Sequence, residues 1–155
     1  MVPQYHRRNV RLITALAGAL LIVPATAAEL AVPPIVGDGI SLPLTATPGD
    51  ARRGKVISAN SDRGNCLTCH ALPIPEAPVF GDLGPSLHGV GERLTAAQIR
   101  LRLVDPKRLN PDSVMPAYHR IEGLHRVAAS YAGQPILSAQ DIEDVIAYLL
   151  TVTGP

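Results

Sequence analysis

Near the C-terminal end of the chain, apolar residues recur at Ile142, Val145, Ile146, Leu149 and Leu150, a spacing of i, i+3, i+4, i+7 and i+8. That period lays one apolar stripe along a helix. Ser138 with Asp141 three residues on caps its start. A second capping pair, Thr95 with Gln98, opens a helix in which Ile99 and Leu103 share a face until Pro106 ends it. A third start is written at Thr47 as N-cap, with Pro48 at the first helical position and Asp50 three residues after the cap. This helix runs through Ala51, Gly54, Ile57 and Ser58 and ends near Asn60. Between the helices, Pro73, Pro75, Pro78, Gly81, Gly84 and Pro85 spell a loop, while Pro33, Pro34 and Pro43 leave residues 28–46 as a Pro-rich extended arm. There is no internal repeat, and no strand signal is longer than a few residues. The pattern predicts an all-α domain over residues 47–155.

The N-terminus has a different grammar. Arg7, Arg8 and Arg11 precede an apolar run from Leu12 to Val23, and Ala25, Thr26 and Ala27 give a small-residue cleavage pattern. Residues 1–27 read as an export signal, with the mature chain starting at Ala28 and delivered to the periplasm. The run falls short of the roughly 20 residues that span a bilayer, so stable membrane insertion is not expected. The Arg7-Arg8 pair also resembles a twin-arginine signal, and a retained N-terminal anchor is the alternative.

Removing the signal changes the charge. Taking Arg7, Arg8 and Arg11 from the 14 basic residues leaves 11 against 13 acidic ones, a formal charge of −2. A nucleic-acid partner needs a basic face that this composition does not supply.

Residues Cys66, Leu67, Thr68, Cys69 and His70 read CxxCH, the covalent attachment signature of a c-type haem. Two thiols at this spacing can each form a thioether with one porphyrin vinyl group, and the next side chain then lies under the iron. Cys66 and Cys69 are therefore the covalent haem anchors and His70 the proximal iron ligand. A redox dithiol has no need of the following His, and a structural zinc site wants about four Cys or His ligands where only two cysteines exist. With one Phe, four Tyr and no Trp, the polypeptide is short of large core side chains. A buried haem would serve as cofactor and core together, leaving the apoprotein poorly folded.

An electron-transfer haem needs a sixth ligand, because an open position invites small-molecule binding. Apart from Met1, Met115 is the only methionine, and it lies between Pro111 and Pro116 in a stiff loop. A lone Met often fills a core gap, yet a thioether is also a soft ligand that raises the reduction potential. Met115 is the distal candidate, with His88, His119 and His125 as competitors.

The CLTCH motif, the run Gly84-Pro85-Ser86-Leu87, the Met115-Pro116 loop and a C-terminal helix with Tyr148 resemble the class I cytochrome c fold. The resemblance implies that the first and last helices cross at Gly54 and Tyr148, and that Pro85 hydrogen-bonds or packs on the proximal His70 side. More narrowly, residues 80–149 are similar to the SoxX family, the monohaem subunits of the SoxAX cytochromes of sulfur-oxidising bacteria. The matching stretches are Gly81 to Leu87, Val104 to Pro111, Met115 to Tyr118, Arg126 and Val127, Pro135 to Leu137 and Glu143 to Leu149. His119 and His125 depart from that pattern, where aromatic and amide residues are expected.

The SoxX resemblance implies one covalent haem c and a heterodimer with a SoxA-type subunit. That pair conjugates thiosulfate to a cysteine of the SoxYZ carrier (L-cysteine S-thiosulfotransferase activity) and passes electrons to a downstream cytochrome. This chain would hold the electron-receiving haem and not be catalytic alone, since haem attachment consumes its only thiols. The alternative is a free-standing diffusible cytochrome with no enzyme membership. Such a carrier often shows a basic ring around its haem edge. Lys107, Arg108 and Arg126, in the family-like stretches, are candidates for haem propionates or a partner.

Overall fold

Two helices from opposite ends of the domain meet backbone to backbone. In the computed structural model, which describes residues 32–154, α1 spans Ala51–Ala59 and α4 spans Ala139–Leu149. They cross at Gly54. A Cβ there would lie 1.9 Å from the Asp144 carbonyl oxygen and 2.9 Å from the Tyr148 Cβ, so no side chain fits between the helices. The crossing is the one implied for Gly54 and Tyr148.

Side chains lock the same contact. Asp144 is fully buried, and one of its oxygens accepts from the Asp50 N–H at 2.8 Å and from the Gln140 amide at 3.0 Å. Arg53 pairs with the other oxygen at 3.1 Å. The apolar stripe of α4 sits in the core as its period predicts, with Ile142, Val145, Ile146 and Leu149 buried. Leu150 does not join them. It is the C-cap and is 38% exposed.

Two of the three expected helix starts hold in detail. Ser138 and Asp141 form a reciprocal capping box on α4, and Thr95 and Gln98 form one on α3, which spans Ala96–Val104 and stops before Pro106. The start of α1 differs: the N-cap is Asp50, whose carboxylate accepts from the N–H groups of Arg52 and Arg53 at 2.9 and 3.3 Å. Thr47 instead uses its carbonyl to accept from the Thr45 hydroxyl. The Arg53 and Arg52 N–H groups hold the Asp50 carboxyl below its usual range. Its capping contribution is therefore complete above the ordinary carboxylate pKa and is lost as pH falls through the lowered one.

The arm is docked, and it contains a small hairpin. Strands β1 (Ile35–Val36) and β2 (Gly39–Ile40) pair antiparallel across a Gly37-Asp38 turn, Gly37 taking φ +61°. Ile40 is fully buried. Its carbonyl accepts from Arg100 at 2.7 Å, while the same guanidinium grips both Glu143 oxygens at 2.7 and 2.8 Å. The Leu44 N–H adds a bond to Glu143 at 2.9 Å. Arg100 and Glu143 are both buried, so this staple joins the arm, α3 and α4. Removing one partner of such a pair typically costs about 3–5 kcal/mol, because the other charge is left buried alone.

A further short helix, α2 (Val90–Arg93), precedes α3 and completes a mostly helical domain. No described helix is long and apolar enough to cross a membrane. The export signal at 1–27 lies outside the described residues.

Candidate functional site

The CxxCH segment coils through a short turn. Asn65 enters it in the left-handed region at φ +50°, and its side-chain oxygen accepts from the Thr68 hydroxyl at 2.6 Å. Cys69 and His70 both return their N–H groups to the Cys66 carbonyl, at 3.1 and 2.9 Å. The coil brings Cys66, Cys69 and His70 to one wall of a cavity of about 750 Å³, within the roughly 300–1,000 Å³ usual for cofactor pockets. Met115 lines the same cavity. Most of the remaining lining is apolar, including Leu87, Val90, Leu94, Ile99, Leu103 and Leu149.

The orientation of His70 is set by its neighbours. Its Nδ1 lies 2.7 Å from the Pro85 carbonyl oxygen. A carbonyl can only accept, so Nδ1 carries the proton and Nε2 keeps its lone pair for a metal. Behind the ring sits Gly84, where a Cβ would come within 2.3 Å of the imidazole. The Gly84-Pro85 pair thus makes a slot that fixes the plane of the ring, and the resemblance placed Pro85 on this side.

Across the cavity, Tyr118 spans from the segment after Met115 back to the segment before Cys66. Its hydroxyl donates to the Gly64 carbonyl at 2.8 Å, and burial raises its pKa well above the usual phenol value. Before haem attachment, burial pushes the Cys66 thiol up to about 11.

The histidine competitors sit elsewhere. His119 is buried, with Nδ1 at 2.9 Å from the Leu137 carbonyl oxygen, and does not line this cavity. His88 lies on the loop before α2, outside the lining, and His125 lines a separate, second cavity. Lys107, Arg108 and Arg126 also fall outside the main cavity. The cations that line it are Arg93 and Arg102. Arg93 donates to the carbonyls of His88 and of Ser86, the latter at 3.1 Å, and Arg102 donates to the Gln98 carbonyl at 2.9 Å. Arg102 was findable from sequence, being three residues from Ile99 on one helix face. Arg93 had no such signal.

The residues present fit a c-type haem. An apolar cavity of suitable volume has two thiols and an imidazole nitrogen on one wall and a thioether sulfur in its lining, with a glycine slot holding the imidazole ring.

The cytochrome c family matches residues 51–153. Among solved structures, SoxXA from P. pantotrophus is similar with a TM-score of 0.70 and 33% identity, covering 76% of this chain and 91% of that one. Cytochrome c-550 from Paracoccus versutus aligns with a TM-score of 0.38 and 17% identity, over 68% of this chain and 99% of that one. Cytochrome c2 from Rhodobacter capsulatus gives a TM-score of 0.37 and 21% identity, over 68% and 100%. No curated protein matches the chain. From the extent of the family match and the 33% identity to SoxXA, the chain belongs to the cytochrome c family as a SoxX-type electron-transfer cytochrome of class I fold, and its cofactor is covalently bound haem c.

Proposed function

We propose that this cytochrome is the electron-accepting subunit of a periplasmic SoxAX-type enzyme, paired with a SoxA-type subunit. The observation that carries the reading is an apolar collar. Leu83, Leu109 and Val114 line the cavity yet are 68%, 38% and 75% exposed, and Val79 and Phe80 on the Leu83 loop are exposed as well. Exposed apolar side chains gathered at the mouth of a cofactor cavity suit a lasting protein contact. A diffusible carrier would be served by a basic ring, but the cavity-lining cations Arg93 and Arg102 are engaged with backbone carbonyls.

Haem c supplies a one-electron redox couple when bound. Cys66 and Cys69 would tether it through thioethers, and His70 would present Nε2 to the iron while its Nδ1–H donates to the Pro85 carbonyl. Met115, in the lining of the same cavity, would offer its sulfur as the second iron ligand. The apolar walls exclude water, and the collar brings a partner against the cavity mouth. The sulfur chemistry itself belongs to the partner. There the carrier thiol of SoxYZ bonds to the outer sulfur of thiosulfate, the thiol proton leaves and two electrons are released. This chain accepts them one at a time and hands them to a downstream cytochrome. It has no free thiol with which to bind sulfur, so it is not catalytic alone.

Mixed with a SoxA-type subunit, the holoprotein should co-elute as a heterodimer on gel filtration, and its reduction by thiosulfate with SoxYZ should require that subunit. A monomer whose reduction is independent of SoxA would make it a free carrier instead.

The ligand assignment has its own check. Met115→Ala should abolish the weak sulfur-to-iron absorption band at the red edge of the visible spectrum while covalent haem content is unchanged. If the band survives, Met115 is not the ligand.

A further inference from the structure

The loop that carries Met115 makes few bonds of its own. Pro111 and Pro116 have no N–H to donate, and the Met115 N–H reaches only the Ser113 hydroxyl, at 3.3 Å. Ser113 N–H closes one turn on the Asn110 carbonyl at 3.0 Å, and the next backbone bond is Tyr118 N–H to the Leu103 carbonyl. Against this sparse backdrop, Lys107 reaches across the loop. Its ammonium donates to the Ser113 carbonyl at 2.6 Å and to the Pro111 carbonyl at 3.5 Å. Among the described residues it is the one side chain from outside 109–116 that bonds to this segment.

Lys107 itself stands on a fixed base. It belongs to the short turn Pro106–Arg108, which follows directly from α3, and the adjoining Asp105 returns its N–H to Leu101 at 3.0 Å and pairs with Arg120 at 2.9 Å. It also approaches from outside the haem cavity. With Met115 it lines the second cavity, of about 610 Å³, on the other side of the loop.

We propose that Lys107 is a positioning residue that latches the Met115 loop over the haem cavity, holding the sulfur at the iron and keeping external ligands out. The proposal rests on reading Met115 as the distal ligand. An ammonium donating to carbonyls forms charge-assisted bonds, stronger than neutral ones. Lys107 is solvent-exposed, so water screens the gain. The latch therefore governs how often the loop opens and leaves the fold itself intact.

Imidazole added to the oxidised holoprotein reads this opening, because it reaches the iron only when Met115 leaves, and its apparent affinity scales with the open fraction. Lys107→Met keeps the length of the stem and removes the donors. It should bind imidazole about fivefold more tightly than wild type, equivalent to about 1 kcal/mol. Lys107→Arg keeps the cation and its donors, and should stay within about twofold of wild type. Covalent haem content and helical circular dichroism should match wild type in both. Unchanged imidazole affinity in Lys107→Met overturns the latch, as does an equal gain in both variants. Met115→Ala separates the two ideas. Survival of the sulfur-to-iron band in that variant defeats the ligand reading, whereas loss of the band together with unchanged affinity in Lys107→Met defeats the latch alone.

Discussion

Replacing Cys66 and Cys69 together by alanine yields a chain with no covalent haem and a largely lost fold. Extraction into acidified acetone should strip all colour from the protein, and helical circular dichroism should fall far below wild type. The first outcome follows because no other thiol exists to form a thioether. The second follows from the largely apolar cavity of about 750 Å³, whose walls include the core residues Val90, Ile99, Leu103 and Leu149. Without haem the apolar walls of that cavity lose their packing partner, and a small domain has only about 5–15 kcal/mol of stability to lose. Covalent colour in the double variant would refute the attachment site, and a native cooperative unfolding transition without haem would refute its role as core.

Gly54→Val should destabilise the holoprotein by about 3 kcal/mol or more, at the top of the range for overpacking. The obstacle decides the size of the effect. A Cβ at Gly54 would meet the backbone carbonyl of Asp144 at 1.9 Å, and backbone cannot swing aside as the tip of a long side chain can. The helices must part, which pulls Asp50 and Arg53 from Asp144. Val56, on the same helix, is 66% exposed, and Val56→Ala should stay within about 0.5 kcal/mol of wild type. Urea unfolding midpoints with unchanged slope compare the two, and equal midpoints would show that the crossing tolerates a side chain.

What could be read from the residues was mostly local. The capping boxes at Thr95 and Ser138 depend on residues three apart, and the stripe from Ile142 to Leu149 on one helical period, so both survive into the structure. The Thr47 cap failed because a nearer acceptor won: Asp50 sits where its carboxylate reaches two helix N–H groups, and its own N–H is drawn to Asp144 on another helix. The docking of the arm was hidden for the same kind of reason. Only the buried pairing of Arg100 with Glu143, 43 residues apart, makes the Ile40 carbonyl a partner. At the haem site, CxxCH carries its chemistry in its spacing. Met115 already stood out in the sequence as the one methionine besides Met1, whereas the hold of Leu137 on His119, off the cavity lining, is a contact no pattern announces. The apolar collar was equally silent, because Leu83 and Val114 read as ordinary loop residues until they frame one opening.

The crossing of α1 and α4 makes the domain a clasped ring. Helices of nine and eleven residues are too short to persist alone in water, so each exists only because the other grips it. All that would touch the iron, from Cys66 to Met115, is strung on the chain between the two halves of the clasp. A backbone cut in the exposed stretch around residues 122–130 would leave the redox group whole on the longer piece. The shorter piece would carry only α4 and would stay attached by its grip on α1. The residues that would hold the haem and the helix that fastens the domain thus lie on different stretches of the chain, meeting at Leu149 of α4, which lines the haem cavity.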